Sequence, residues 1–278
     1  MSIYYVDGEF VPAESAVIPV DDLAILRGIG VFDLLRTHNG APCFLDAHIR
    51  RLENSAKEIE LPLPWSHAEI VHVVRQTLEK NNLPEASIRV LVTGGSSADF
   101  MTPSGNPRLV VMVSPVAPLP ETWYTDGVKI ISLEVERTLP GAKSINYIQA
   151  SLALKKAEAA GALDALYVDP QNRVLECTTS NIFAFSGDTL ITPERNILHG
   201  ITRQMVMELA AGPFTVVARD LPYTELVAAD EVFITNTPRG IVPVVQVDAH
   251  KIGDGRPGPR TRRLNSWSQR TERGVEPG

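Results

Sequence analysis

In Leu175-Glu176-Cys177-Thr178-Thr179-Ser180-Asn181-Ile182-Phe183 an apolar strand runs into a cluster of small polar residues and then into a second apolar strand. Reading outward from it, strands are predicted at 128–135, 165–168, 174–177, 182–185 and 189–192, with a helix from just after Asn146 to Gly161. Downstream, a helix over 202–211 with Thr202 as its cap, a strand over 215–220, a short helix near Glu225 and strands over 231–235 and 241–247 continue the alternation. This half of the chain therefore reads as mixed α/β.

Upstream the pattern changes. Residues 4–11 read as a strand broken by an Asp7-Gly8 turn, and 31–37 with 41–45 as a hairpin turning at Asn39-Gly40. Asp46 is expected to cap a helix carrying Ile49, Leu52, Ala56 and Ile59 on one face. Ser66 and Glu69 have the spacing of a capping box for a second helix through Ile70, Val74 and Leu78. Strands follow at 87–93 and 109–114, and Pro115, Pro118 and Pro120 then mark a domain boundary. The expected organisation is a small α/β domain over 1–115, a linker over 116–121, a larger α/β domain over 122–252 and a tail over 253–278. The tail is rich in Gly, Pro and Arg with few apolar anchors, so it is expected to be largely mobile and is assigned no chemistry.

Composition narrows the function. The 278 residues carry a net charge of −7, with 44% hydrophobic and 21% charged residues, ordinary values for a globular protein. No cationic cluster suits nucleic acid or an anionic membrane, and the first residues lack a cationic start followed by an apolar run, so a cytoplasmic protein is expected. Two cysteines, Cys43 and Cys177, have neither metal-ligand nor redox spacing, and six scattered histidines give no zinc signature; no metal is expected. Gly28-Ile29-Gly30 lacks the third glycine of a dinucleotide site and precedes a strand, and Gly94-Gly95-Ser96-Ser97 has no following P-loop lysine.

Four segments could carry chemistry. Lys143 follows Pro140-Gly141-Ala142 and stands before an apolar helix; its amine could attack an aldehyde cofactor, although a loop lysine is ordinarily a solvated charge. Glu176, at a strand end, could face a protonated ring nitrogen or be an exposed acid. Gly200-Ile201-Thr202-Arg203 opens a helix whose free N–H groups suit a phosphate, as helix N-termini do generally. Thr235-Asn236-Thr237 could add a hydroxyl there, and Arg51 a charge; Arg50 and Arg51 point about 100° apart on a helix, so one of them at most faces inward.

In this order the segments resemble the class IV, or fold-type IV, PLP-dependent aminotransferases: branched-chain aminotransferases, D-amino acid aminotransferases and aminodeoxychorismate lyases. The resemblance spans nearly the whole chain, through Arg27-Gly28-Ile29-Gly30-Val31-Phe32-Asp33, His48-Ile49-Arg50-Arg51-Leu52 and Ala229-Asp230-Glu231-Val232-Phe233. It implies a two-domain α/β fold, a barrel-like larger domain, pyridoxal 5′-phosphate (PLP) between the domains, and a homodimer. It implies Lys143 as the Schiff-base lysine and proton shuttle, Glu176 as partner of the pyridinium nitrogen, and Arg51, Thr237 and the N–H groups of Ile201 and Thr202 at the phosphate. Tyr147, in Lys143-Ser144-Ile145-Asn146-Tyr147, is implied as the residue bonded to the phenolic oxygen, one position nearer the lysine than in many branched-chain enzymes.

Phe32 stands where D-amino acid enzymes carry a tyrosine, and 94–101 lacks their Arg-x-His pair, so the pattern favours a branched-chain-like transaminase acting on an amino acid and a 2-oxo acid. A D-amino acid aminotransferase, an aminodeoxychorismate lyase and a PLP-binding protein without turnover are the alternatives. Pro238 removes an N–H that branched-chain enzymes offer the substrate carboxylate. Arg239 is a candidate replacement, or else a solvated loop arginine.

Overall fold

The computed structural model describes residues 2–272. The chain divides into two compact units, Met1–Ala117 with Gly141–Tyr147, and Pro118–Pro140 with Ile148–Gly278. This departs from a single cut at 116–121, because the segment carrying Lys143 packs with the first unit. Hydrogen bonding is the cause: Phe32 N–H donates to the Lys143 carbonyl at 3.0 Å and Ile145 N–H to the Gly30 carbonyl at 3.0 Å. Lys143 is thus held beside a strand-like antiparallel bridge, Ser144 opposite Val31, where the entrance of a helix was expected.

The first unit contains β1 (Ile3–Val6), β2 (Glu9–Pro12), α1 (Leu23–Arg27), β3 (Gly30–His38), β4 (Ala41–Pro42), α2 (Leu45–Glu58), α3 (His67–Asn81), β5 (Ala86–Thr93) and β6 (Arg108–Pro115). Over the described residues its strands form a six-stranded sheet, β2-β1-β6-β5-β3-β4. Asp7-Gly8 and Asn39-Gly40 take the positive φ that tight hairpins demand, 49° and 107° at the first pair and 50° and 76° at the second. The capping box forms as read: Ser66 Oγ accepts the Glu69 N–H and Glu69 accepts the Ser66 N–H. Asp46 does not cap α2; Phe44 occupies the N-cap without a side-chain bond, and Asp46 turns instead to His67 at 3.1 Å.

Along β3, Val31, Asp33, Leu35 and Thr37 alternate onto the buried face, each at most 1% exposed. The apolar stripe of α2 closes on that face with Ile49 and Leu52 fully buried. Burying each such side chain contributes about 1.5–3 kcal/mol, enough to fix the helix against the strand.

The second unit contains α4 (Thr122–Thr125), β7 (Val128–Glu134), α5 (Ile148–Ala159), β8 (Asp164–Val168), β9 (Arg173–Cys177), β10 (Asn181–Ser186), β11 (Thr189–Thr192), α6 (Ile201–Ala210), β12 (Thr215–Ala218), β13 (Leu221–Pro222), α7 (Tyr223–Val227), β14 (Glu231–Asn236), β15 (Gly240–Val247), β16 (His250–Lys251) and α8 (Pro259–Glu272). Its described strands make a curled ten-stranded sheet, β12-β11-β10-β14-β15-β7-β8-β9-β13, with β16 against β15. Side chains of one face form a core through Val128, Leu166, Ile182 and Val242; those of the other pack Phe183 and Phe233 on α6 and α8.

The tail differs from the expectation. From Pro259 to Glu272 it is helical, with Thr261, Leu264 and Ser268 at most 2% exposed. Glu231 anchors its start, accepting the Arg260 N–H at 3.1 Å and both the N–H and hydroxyl of Thr261 at 2.8 Å. A carboxylate at a helix N-terminus is favoured by the helix dipole, which explains how a polar sequence docks. Residues 273–278 of the tail lie outside the described residues. Among the described residues no helix is long and apolar enough to cross a membrane.

Candidate active site

In the first unit the chemistry gathers around β3. The Lys143 amine lies over the Phe32 ring, 4.7 Å from its centroid, and Tyr147 meets the same ring edge-on at 5.5 Å. The Arg89 guanidinium lies 5.0 Å from that centroid. Phe32 is 6% exposed, so it forms an apolar floor beneath a primary amine. The Lys143 backbone is pinned as well, its N–H donating to Ser55 Oγ at 3.1 Å.

One residue along β3, Asp33 turns to the opposite face and holds a buried network. Its carboxylate accepts from His48 Nδ1 at 2.7 Å, from Arg51 Nε at 2.8 Å and from Arg51 Nη2 at 2.7 Å. Burial alone would raise this carboxyl, but the Arg51 charge and the hydrogen bonds from His48 and Arg51 outweigh it and hold Asp33 well below the usual carboxylate range. Burial lowers the His48 pKa against the opposing pull of Asp33. Arg50 is exposed and Arg51 half-buried, as the helical spacing requires.

In the second unit β9 ends at Glu176 and Cys177 and β10 begins at Asn181, and the Glu176 and Asn181 side chains grip the same backbone residue. Glu176 Oε2 accepts the Leu198 N–H at 3.1 Å, and Asn181 Nδ2 donates to the Leu198 carbonyl at 2.7 Å. Arg137 Nη1 holds the other Glu176 oxygen at 2.7 Å. Leu198 thereby fixes where α6 starts.

Gly200, and not Thr202, is the N-cap of α6, and no side chain caps that end. A Cβ at Gly200 would collide with Asn181 Oδ1, so a larger residue at the cap position requires the Asn181 side chain or the helix start to shift. Thr202 lies within the first turn, 7% exposed. Arg203 is a structural cation: Nη2 donates to the Pro193 carbonyl at 2.9 Å and to Glu194 at 2.6 Å.

Thr237 follows the end of β14, half-buried, while Asn236 Nδ2 donates to Ser180 Oγ at 3.0 Å and so ties that strand end to the small polar cluster. Thr235 Oγ1 is buried and has no hydrogen-bond partner among the described residues. Arg239 is not the solvated loop residue that was one of its two readings. Its Nη1 lies 3.8 Å from the fully buried Asp164 and its guanidinium 5.5 Å from the Trp123 centroid. Asp164 also accepts from Thr178, Thr179 and Ser180, and burial pushes its carboxyl upward. Burial likewise raises the Cys177 thiol, leaving it an inert core residue.

Reasoning from sequence missed Asp33, His48, Ser55, Arg137 and Leu198. For Asp33 a signal existed: it falls in phase with Val31 and Leu35, where a buried strand face calls for an apolar residue. His48 and Ser55 likewise share the helical face of Leu52 and Ile59.

Each unit thus carries chemistry of its own: in the first, an amine on an aromatic floor suits an aldehyde; in the second, a carboxylate held at both oxygens suits a basic ring nitrogen, and a helix N-terminus with no side-chain cap suits a phosphate. The model of the amino-transferase class IV family matches residues 30–247. A putative branched-chain-amino-acid aminotransferase of Methanocaldococcus jannaschii is 36% identical over 270 residues, 94% of this chain and 93% of that one. A D-alanine aminotransferase of Listeria monocytogenes is 30% identical over 270 residues, covering 94% and 93%. The structure of a T.th. branched-chain amino acid aminotransferase with pyridoxamine 5′-phosphate superposes with a TM-score of 0.93 at 30% identity, over 99% of this chain and 95% of that one. The chain therefore belongs to the class IV aminotransferases and is a PLP-dependent enzyme of that family.

Proposed function

We propose that this aminotransferase exchanges the amino group between a branched-chain amino acid and a 2-oxo acid, with Lys143 as its catalytic residue. The observation that carries the assignment is the Lys143 amine over Phe32, its backbone fixed on both sides by Ser55 and Phe32. Bound PLP supplies an electron-withdrawing ring that takes up the electron pair of the substrate Cα–H bond. With the cofactor bound, Lys143 Nζ would take the proton from the substrate Cα as base and, as acid, deliver it to the carbon of the former aldehyde group.

Glu176, locked between Arg137 and the Leu198 N–H, would accept a hydrogen bond from the ring nitrogen and so keep it protonated. Arg51, Thr237 and the N–H groups of Ile201 and Thr202 would hold the phosphate, and Tyr147 would donate to the phenolic oxygen. Phe32 presents an apolar surface to the substrate, which favours an aliphatic side chain. Arg239 is assigned to compensating Asp164, 3.8 Å from its Nη1, in place of a substrate carboxylate, although Nη1 makes no hydrogen bond among the described residues.

The branched-chain reading is supported by the activity for which the Methanocaldococcus relative is named, and a D-amino acid substrate by that of the Listeria relative. Incubating the PLP-loaded protein with L- and D-amino acids in turn, and following loss of its visible absorbance, decides between them. Bleaching by L-leucine, L-isoleucine and L-valine is expected; bleaching by D-alanine alone would replace the reading.

The enzyme is further proposed to act as a homodimer in the cytoplasm. Exposed Val17, Val20, Ile25 and Met101 in the first unit support a partner surface, and two cysteines outside any disulfide support a reducing compartment.

A further inference from the structure

We propose that Asp33 and His48 are positioning residues that set the affinity for the phosphate of the cofactor by fixing the guanidinium of Arg51. The inference rests on the assignment of Arg51 to that phosphate and concerns what aims it.

Asp33 occupies a place where the sheet face is otherwise aliphatic, between Val31 and Leu35 and opposite Val90, all fully buried. An ionised carboxylate there must be satisfied by donors. Four are supplied: the Leu34 N–H at 2.7 Å, His48 Nδ1, and Arg51 Nε and Nη2. A buried ion pair of this kind adds little net stability over a well-packed apolar replacement. Its placement is better accounted for by what it orients.

A guanidinium has five N–H donors in one plane. Gripping Arg51 through Nε and Nη2 together fixes the orientation of that plane and leaves the Nη1 edge to recognise an anion, which a single contact would not do. His48 completes the clamp. The ionised Asp33 can only accept, so His48 Nδ1 carries the proton in their 2.7 Å hydrogen bond, and the ring, 1% exposed, stops the carboxylate from rotating. Ser55 extends the arrangement, donating to the Arg51 carbonyl at 2.7 Å while accepting the Lys143 N–H. The turn of α2 that carries the phosphate cation and the segment that carries the catalytic amine are thus joined through one buried hydroxyl.

The test uses the full-length apoprotein titrated separately with PLP and with pyridoxal, which lacks the phosphate, with thermal melting run on each variant. His48→Leu and Asp33→Asn are expected to weaken PLP binding about ten- to a hundredfold, as loss of an orienting partner does at metal ligands, and to change pyridoxal binding by less than about twofold. His48→Asn keeps an N–H donor near the place of Nδ1 and should recover most of the loss. Arg51→Gln serves as the reference and should abolish the preference for PLP over pyridoxal.

If Arg51→Gln removes that preference while His48→Leu and Asp33→Asn keep it, the positioning role is overturned and the Arg51 assignment stands. If Arg51→Gln itself keeps the preference, the phosphate assignment fails and the inference with it. Equal loss of PLP and pyridoxal binding in His48→Leu, without recovery in His48→Asn, marks a purely structural role and also overturns the proposal. Should Asp33→Asn not fold, the two His48 variants decide alone.

Discussion

Glu176 Oε2 accepts the backbone N–H of Leu198 at 3.1 Å, two residues before the glycine that opens α6. A side chain assigned to the cofactor ring thereby fixes the start of the helix assigned to its phosphate. Arg137 on the other oxygen, at 2.7 Å, makes the carboxylate a rigid acceptor.

Glu176→Gln preserves the shape of this joint and removes its charge. Turnover is expected to fall about a hundredfold, the size of effect seen when a preorganised electrostatic partner is lost, while PLP binding largely persists. Steady-state kinetics beside a PLP titration check it. Unaltered kcat would remove Glu176 from the ring nitrogen.

Gly200→Ala places a methyl group against Asn181 Oδ1. The backbone there, φ −69° and ψ 142°, suits alanine, so the expected damage is local displacement of the α6 N-terminus and not strain. PLP affinity should drop about tenfold with little change in melting temperature, at about 1–2 kcal/mol for a misaligned set of N–H donors. The Asn181→Ala/Gly200→Ala double variant should recover part of that loss, which a double-mutant cycle measures.

Arg239→Ala leaves Asp164 fully buried without its nearest cation. A loss of about 2 kcal/mol in denaturant unfolding is expected, below the cost of breaking a tight buried pair because the separation is 3.8 Å. KM for amino acids should stay close to that of the parent. A raised KM with unchanged stability would instead make Arg239 a substrate ligand.

His67 links α2 and α3 through Asp46 at 3.1 Å and Glu53 at 3.2 Å, and the hydrogen bonds to those carboxylates raise its pKa. A histidine whose folded pKa is raised contributes stability that is fully present below the unfolded value, about 6.5, and is lost as pH rises through the folded one. The difference in melting temperature between the parent and His67→Gln should therefore be larger at pH 6 than at pH 8, and small because the site is solvent-screened. An equal difference at both pH values would contradict the linkage.

Local rules carried the sequence reading where a feature depends on neighbours along the chain. Asp7-Gly8, Asn39-Gly40 and the Ser66–Glu69 box were legible because turn and cap geometry is set within four residues. Features decided by distant partners were not. Lys143 looked like the entrance of a helix because its bonds run to Phe32 and Ser55, far back in the chain. Asp46 had the composition of a cap, but His67 on the next helix took its carboxylate. The tail looked mobile from its Arg and Gly content, yet Thr261, Leu264 and Ser268 recur at helical spacing and Glu231 supplies the anchor. The residues assigned to the cofactor were mostly in view, since strand ends and helix starts announce themselves; Asp33 and His48 were hidden as a polar pair inside an apolar pattern.

The most direct measurement is to load the protein with PLP, reduce it with borohydride, digest it and locate the covalent label by mass spectrometry. The account predicts the label on Lys143, and neither label nor turnover in Lys143→Ala. Label on another lysine, or turnover surviving in that variant, would contradict it.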